Sequence, residues 1–249
     1  MNRIDLIVFD MAGTTVQDNH EVEDCFAKTA SLCGIEMSEE EIKSIQGWSK
    51  RFVFEWYWAR HFKRDSAEFT ERVESSYTTF KSILESYYIE TPVIPTQGCL
   101  ETFAFLKENN IKIGLSTGFY RKVTNIILEK LGWLEGLNDE YIKNSESALI
   151  DISVASDEVE KGRPAPDMIL YCMNKLGIEK SSSVIAVGDT PSDIGSGKSA
   201  NCARMISLSN GTHRSDQLLH FGPDIILEGM HQLPEYLIKE GFLKENAVY

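Results

Sequence analysis

Short apolar runs and helix-patterned segments alternate along this chain, and the alternation is broken once, by a long block without any strand signal. Residues 4–9 are the first apolar run, short and continuous as buried strands are. Further strands are predicted at 112–116, 150–155, 184–187, 205–208 and 224–227, with helices at 98–109, 121–131, 166–176 and 191–201. Pro166 and Pro191 stand where a first helical turn tolerates proline. Residues 19–88 contain no proline and place charged and aromatic residues at helical spacing, so this block reads as several helices. Alternating β and α elements predict a doubly wound α/β core with a mostly parallel sheet. The helical block then reads as an inserted cap domain. Its expected limits are 16–92, with the core at 1–15 and 93–249, and Pro92 and Pro95 mark the return.

In open α/β sheets, ligands bind beyond the carboxyl ends of the strands. Four such ends carry chemically apt groups: Asp10, Thr117, Arg163 in the loop after Ala155, and the pair Asp189 and Asp193. Any one of them is explained as a turn or helix-cap residue. Four in order, separated by helices of suitable length, point to a site. The carboxylates suit a hard cation with oxygen ligands. Arg163 offers a permanently charged fork for phosphorus-bound oxygens. Gly13 and Gly118 let backbone N–H groups approach the same anion.

Net charge is −13, which argues against nucleic acid or an anionic membrane as partner. An acidic chain that binds an anion must supply local positive charge, and a metal ion with Arg163 would do so. The apolar runs are too short to span a membrane, and Asp5 and Asp10 do not read as part of a signal peptide. The five cysteines (Cys25, Cys33, Cys99, Cys172, Cys202) lack metal-clamp spacing and read as packing residues. A cytoplasmic enzyme, monomer or homodimer, is the expectation.

The series VFDMAGTT, GLSTG, KGRPAPD and VGDTPSD resembles the haloacid dehalogenase-like superfamily over nearly the whole chain. The resemblance implies a Rossmann-like core and Mg²⁺ held by Asp10, the Ala12 carbonyl and Asp189. It implies Asp10 as a nucleophile forming an aspartyl phosphate, with Thr117 and Arg163 on the phosphoryl group. Asp193 would orient the metal's surroundings, and Gly13, Thr14 and Gly118 would face a small phosphorus-containing metabolite.

Two departures narrow the resemblance. Phosphatases of this superfamily carry a second Asp two residues after the nucleophile, where this chain has Ala12. The third-motif cation is Arg163 after Gly162, where most members have Lys. AGTT and GRP together look like the phosphonatase branch, which cleaves a carbon–phosphorus bond through an imine on a cap lysine. The step Gly47-Trp48-Ser49-Lys50 resembles the loop bearing that lysine, with Gly47 giving close approach. Lys50 is otherwise a substrate contact or a solvated side chain. Val53, Gln46 and Phe119 stand where that branch has His, Met and Tyr. The leading expectation is hydrolysis of a small phosphonate such as phosphonoacetaldehyde. Hydrolysis of a small phosphate ester is the alternative, and a weak phosphometabolite binder is a third. The aromatic run from Phe52 to Phe62 reads as helix packing in preference to a lid, and His20 as an exposed hinge residue.

Overall fold

A computed structural model describes residues 3–45 and 48–243. After β1 (Leu6–Phe9) come four helices, α1 (Glu21–Cys33), α2 (Glu39–Ser44), α3 (Lys50–Trp58) and α4 (Ala67–Glu90). The alternation then resumes with α5 (Cys99–Glu108), β2 (Lys112–Thr117), α6 (Arg121–Leu131), β3 (Ile152–Ala155), α7 (Asp167–Lys175), β4 (Val184–Gly188) and α8 (Pro191–Ser199). It closes with β5 (Arg204–Leu208), α9 (Ser215–Leu219), β6 (Ile225–Leu227) and α10 (Leu233–Lys239). Each predicted strand and each predicted core helix is present within two residues of its expected limits. The short α9 and α10 were not anticipated, being too brief to show a periodicity.

Among the described residues the six strands are all parallel, in the order β3-β2-β1-β4-β5-β6. Side chains alternate between the faces. Ile7, Phe9, Ile113, Leu115, Ile185 and Val187 enter one apolar cluster, with Phe103 of α5 and Ile127 of α6. Leu6, Val8, Ile152, Val154, Val184 and Ala186 enter the other, with Met168 of α7 and Ile194 of α8. Both faces are covered, which is why the strands read as unbroken apolar runs instead of alternating ones. No helix among the described residues is long and apolar enough to cross a membrane.

The helical block is stapled by aromatic residues. Phe26 of α1 stacks on Phe80 of α4 at 4.5 Å, and Phe54 of α3 lies 5.8 Å from Phe80. Trp58 Nε1 donates to Ser76 Oγ at 2.9 Å, satisfying its polar edge inside the packing. The aromatic run is therefore mainly packing, although Phe52 is 43% exposed. Ser66 caps α4, its Oγ accepting from Phe69 N–H at 3.1 Å. His20 is exposed at the start of α1, and its Nδ1 lies 3.2 Å from Glu23.

Two chain crossings join this block to the sheet, and they pair with each other. Gln17 N–H donates to Ile94 O at 2.9 Å and Thr96 N–H to Thr15 O at 3.0 Å, around a bridge between Val16 and Pro95. A second link is polar: Glu85 of α4 accepts from Tyr120 Oη and from Lys122 Nζ of α6, each at 2.7 Å.

Candidate active site

Strand register sets the site. Phe9 pairs with Leu115 on one side and with Val187 on the other. Asp10 therefore leaves the sheet level with Ser116 and Gly188, one residue short of Thr117 and Asp189. The strand order reverses about β1, so this crevice is the topological switch point of the sheet. Asp10 is anchored there by its N–H, which donates to Val187 O at 2.9 Å. The next turn is closed by Thr15 Oγ1, which donates to Asp10 O at 2.9 Å.

Arg163 is the electrostatic centre. Its guanidinium is buried and bridges two carboxylates, with Nη2 2.8 Å from Asp10 Oδ1 and Nη1 on Asp193 Oδ1. Its peptide bond to Pro164 is cis. Asp193 is fixed by α8: Thr190 caps the helix, and Asp193 Oδ2 accepts from Thr190 N–H at 3.0 Å and Thr190 Oγ1 at 2.6 Å. Asp189 accepts from Thr14 Oγ1 at 3.0 Å through Oδ1 and from Thr212 N–H at 2.7 Å through Oδ2.

Asp10, Asp189 and Asp193 have carboxylate oxygens within 4.8 Å of one another, all buried. Three carboxylates meet a single guanidinium, so full ionisation leaves an excess of negative charge. Burial pushes Asp10 up to about 8, with Arg163 opposing and the charges of Asp193 and Asp189 adding. Asp189 is pushed up to about 6, by burial first and then by Asp193. Protons offset the excess at low pH, and a divalent cation with oxygen ligands fits the same cluster. The backbone is shaped around it: a Cβ on Gly13, at φ +84°, or on Gly211 would fall on the Asp189 carboxylate.

A cavity of about 20 Å³ opens on these groups, walled by Asp10, Ala12, Asp18, Thr117, Gly118 and Arg163. That is room for about one water molecule. A groove of about 620 Å³ adjoins Arg163 from the helical block, between Phe52 and Tyr77 on one side and Val159 and Pro164 on the other.

The structure brings Asp10, Ala12, Thr117, Gly118, Arg163, Asp189 and Asp193 to one place. Thr117 ends β2, and its Oγ1 accepts from Phe119 N–H at 3.1 Å. Two expected substrate contacts make hydrogen bonds within the protein. Gly13 N–H donates to Val16 O at 2.8 Å, closing the turn, and the Thr14 hydroxyl is directed to Asp189. Gly47 lies outside the described residues. Lys50 begins α3, directly after Ser49, and Ser49 abuts the arginine loop: a Cβ on Gly162 would sit 3.2 Å from Ser49 Cβ. Sequence reading missed Asp18, Thr190 and Thr212. Thr190 and Thr212 follow the ends of β4 and β5, so the strand-end rule reaches them. Asp18 lies in a linker and has no spacing signal.

A profile of the haloacid dehalogenase-like hydrolase family matches residues 4–201. A protein from Bacillus cereus named phosphonoacetaldehyde hydrolase is 30% identical over 215 residues, covering 80% of this chain and 73% of its own length. Among solved structures, a phosphonoacetaldehyde hydrolase-like protein from Oleispira antarctica aligns with a TM-score of 0.75 at 17% identity, covering 96% of this chain and 92% of its own. A β-phosphoglucomutase from Clostridium difficile aligns at 0.70 and 19% identity, covering 96% and 97%. These structural likenesses speak to fold alone. The parallel sheet, the strand-end carboxylates and the family match agree, and the chain belongs to the haloacid dehalogenase-like hydrolase family.

Proposed function

We propose that this enzyme is a phosphonatase-like hydrolase that cleaves a small phosphonate such as phosphonoacetaldehyde, with Asp10 as nucleophile. The observation that carries the reading is the buried Asp10–Arg163 pair beside Ala12, which puts a methyl group where an ester phosphatase needs an acid. The 30% identity to a phosphonoacetaldehyde hydrolase supports it. Mg²⁺ held by Asp10, Asp189 and the Ala12 carbonyl would neutralise charge and orient the phosphorus group. Arg163, bound to Asp10 through Nη2 and to Asp193 through Nη1, would lie against the phosphoryl oxygens and lower the repulsion between two anions. Thr117 and Gly118 supply polar contacts opposite. Asp193 positions the guanidinium, and Asp10 Oδ attacks phosphorus to give an aspartyl phosphate.

The helices α1–α4 act as a cap in this reading. Closure of the cap over bound substrate would exclude water, with the paired crossings at Val16 and Pro95 as the hinge. Lys50, at the head of α3 beside the arginine loop, forms an imine with the aldehyde and draws electrons from the carbon–phosphorus bond. The test is borohydride added together with phosphonoacetaldehyde. It should leave a reduced adduct on a peptide containing Lys50, and Lys50→Arg should lose carbon–phosphorus cleavage. No adduct, with Lys50→Arg still active, would remove the imine from the mechanism.

One observation favours a second reading. An acidic residue, Asp18, does line the cavity, so hydrolysis of a small phosphate ester has a candidate proton source in spite of Ala12.

A further inference from the structure

Hydrolysis through an aspartyl phosphate moves a proton twice, and Ala12 can carry neither. Of the acidic side chains lining the cavity among the described residues, Asp10 is committed to phosphorus and Asp18 is the other. Asp18 lies in the crossing between β1 and α1, just beyond the Val16–Pro95 bridge. Its Oδ1 accepts from Glu21 N–H at 3.2 Å. Glu21 is itself buried, and its carboxylate accepts from Asn19 N–H and from Asn19 Nδ2 at 3.3 Å. The linker therefore folds back on itself and sets Asp18 in the cavity wall, with its carboxylate bonded to the backbone of Glu21.

We propose that Asp18 is the acid and base of this site, the catalytic residue that replaces the one missing at Ala12. The proposal rests on the reading of Asp10 as nucleophile. As Asp10 Oδ bonds phosphorus, the bond to the leaving atom breaks, and Asp18 gives that atom its proton. Asp18 is then a carboxylate. A water oxygen next bonds phosphorus, its proton passes to Asp18, and the phosphorus–oxygen bond to Asp10 breaks with its electron pair returning to Asp10. For an ester the net change is ester plus water to alcohol plus phosphate, and Asp18 ends as it began. For a phosphonate the carbon departs as an enamine on Lys50 and takes its proton from Asp18 after the carbon–phosphorus bond has broken, so Asp18 is again a carboxylate when water attacks. The cavity between Asp10 and Asp18 has room for that one water.

The protonation state agrees with this order of events. Burial, then the hydrogen bond to Glu21 and the charges of Glu21 and Asp189, push Asp18 up to about 8. Burial works against Glu21 too, but the hydrogen bond from Asp18 and the donors of Glu21 and Asn19 prevail and hold it below its ordinary range. The two shifts run in opposite directions, and both favour a proton on Asp18 over one on Glu21. The other titratable groups that feel this charge are Cys25 of α1 and Tyr87 and Tyr88 of α4. Burial raises all three, so they stay neutral beside it.

The experiment uses the whole protein with Mg²⁺ and p-nitrophenyl phosphate above pH 8, where the leaving group needs no proton and Asp18 starts as the carboxylate that receives the proton of water. Asp18→Asn should keep a stoichiometric burst of p-nitrophenolate and lose ~10²–10⁴-fold in steady-state rate. Acid quenching should then trap a phosphoryl group on the peptide containing Asp10, and the same accumulation should appear with phosphonoacetaldehyde. Asp18→Glu, which keeps an acid, should recover part of the rate. Glu21→Gln removes the charge that retains Asp18's proton, so turnover of an alkyl phosphate should decline from a lower pH than in the wild type. An unchanged steady state in Asp18→Asn overturns the proposal. So does parallel loss of burst and steady state in a folded variant, or an unmoved pH profile in Glu21→Gln. Turnover by Asp10→Asn would instead contradict the nucleophile reading, whatever Asp18 does.

Discussion

Removing the charge of Arg163 tests the electrostatic design of the site. Arg163 is 4% exposed and its guanidinium bridges Asp10 and Asp193, so Arg163→Ala strands two buried carboxylates. Breaking a buried pair by deleting one partner typically costs ~3–5 kcal/mol. For a domain of this size each kcal/mol lowers the melting midpoint by ~2–4 °C, which converts to ~6–20 °C. Asp10, already held up near 8 by burial, can take a proton and soften the loss, so the lower half of that range is expected near pH 6 and the upper half near pH 9. Mg²⁺ offers a second neutralising charge and should raise the midpoint of Arg163→Ala more than that of the wild type. Arg163→Lys keeps the charge but cannot bridge both carboxylates, and should fall between. The assay is thermal melting by circular dichroism in EDTA and in Mg²⁺. A midpoint for Arg163→Ala within ~2 °C of wild type in EDTA, less than ~1 kcal/mol, would refute the reasoning.

The metal-free protein should also lose stability as pH rises. Asp10 and Asp18 are raised to about 8 and Asp189 to about 6 from an ordinary value of 3.8, so the folded state keeps protons that the unfolded chain releases. Their contribution is complete below the ordinary carboxylate range and is lost as pH climbs to about 8, by ~1.4 kcal/mol per pH unit for each retained proton. Melting midpoints in EDTA should fall between about pH 5 and 8 and flatten in Mg²⁺, whereas a midpoint rising through that window in EDTA would contradict the assignment. Ala12→Asp should leave ester hydrolysis without the ~10²–10⁴-fold gain that a restored general acid gives a degraded phosphatase. Initial rates on an alkyl phosphate decide this.

The core was legible because both faces of the sheet are covered. Buried strands such as Leu6–Phe9 and Val184–Gly188 then have no polar alternation, and each ends at a residue that must face the crevice. Asp10, Thr117 and Asp189 stand at strand ends by that rule, and Asp193 lies in the first turn of the helix that follows. Arg163 was read with them as the cation of the loop after Ala155, although it stands seven residues beyond Ser156 in a loop with no periodicity. The directions of Gly13 and Thr14 were not legible. Whether an N–H or hydroxyl turns to a ligand or to its own turn depends on closure between Met11 and Val16, which residue types leave open. Asp18 was hidden for another reason: its role rests on a bridge between Val16 and Pro95, far apart in sequence. The register of two linkers has no signature in either one.

The central claim is that Asp10 attacks phosphorus, and phosphate release measured side by side on phosphonoacetaldehyde and a panel of phosphate esters tests it most directly. Wild-type protein with Mg²⁺ should release phosphate, most readily from the phosphonate. Asp10→Asn should release none from any substrate while melting as a folded protein, because an amide is a poor nucleophile and a poorer metal ligand. Release by a folded Asp10→Asn at a rate near that of the wild type would contradict the account.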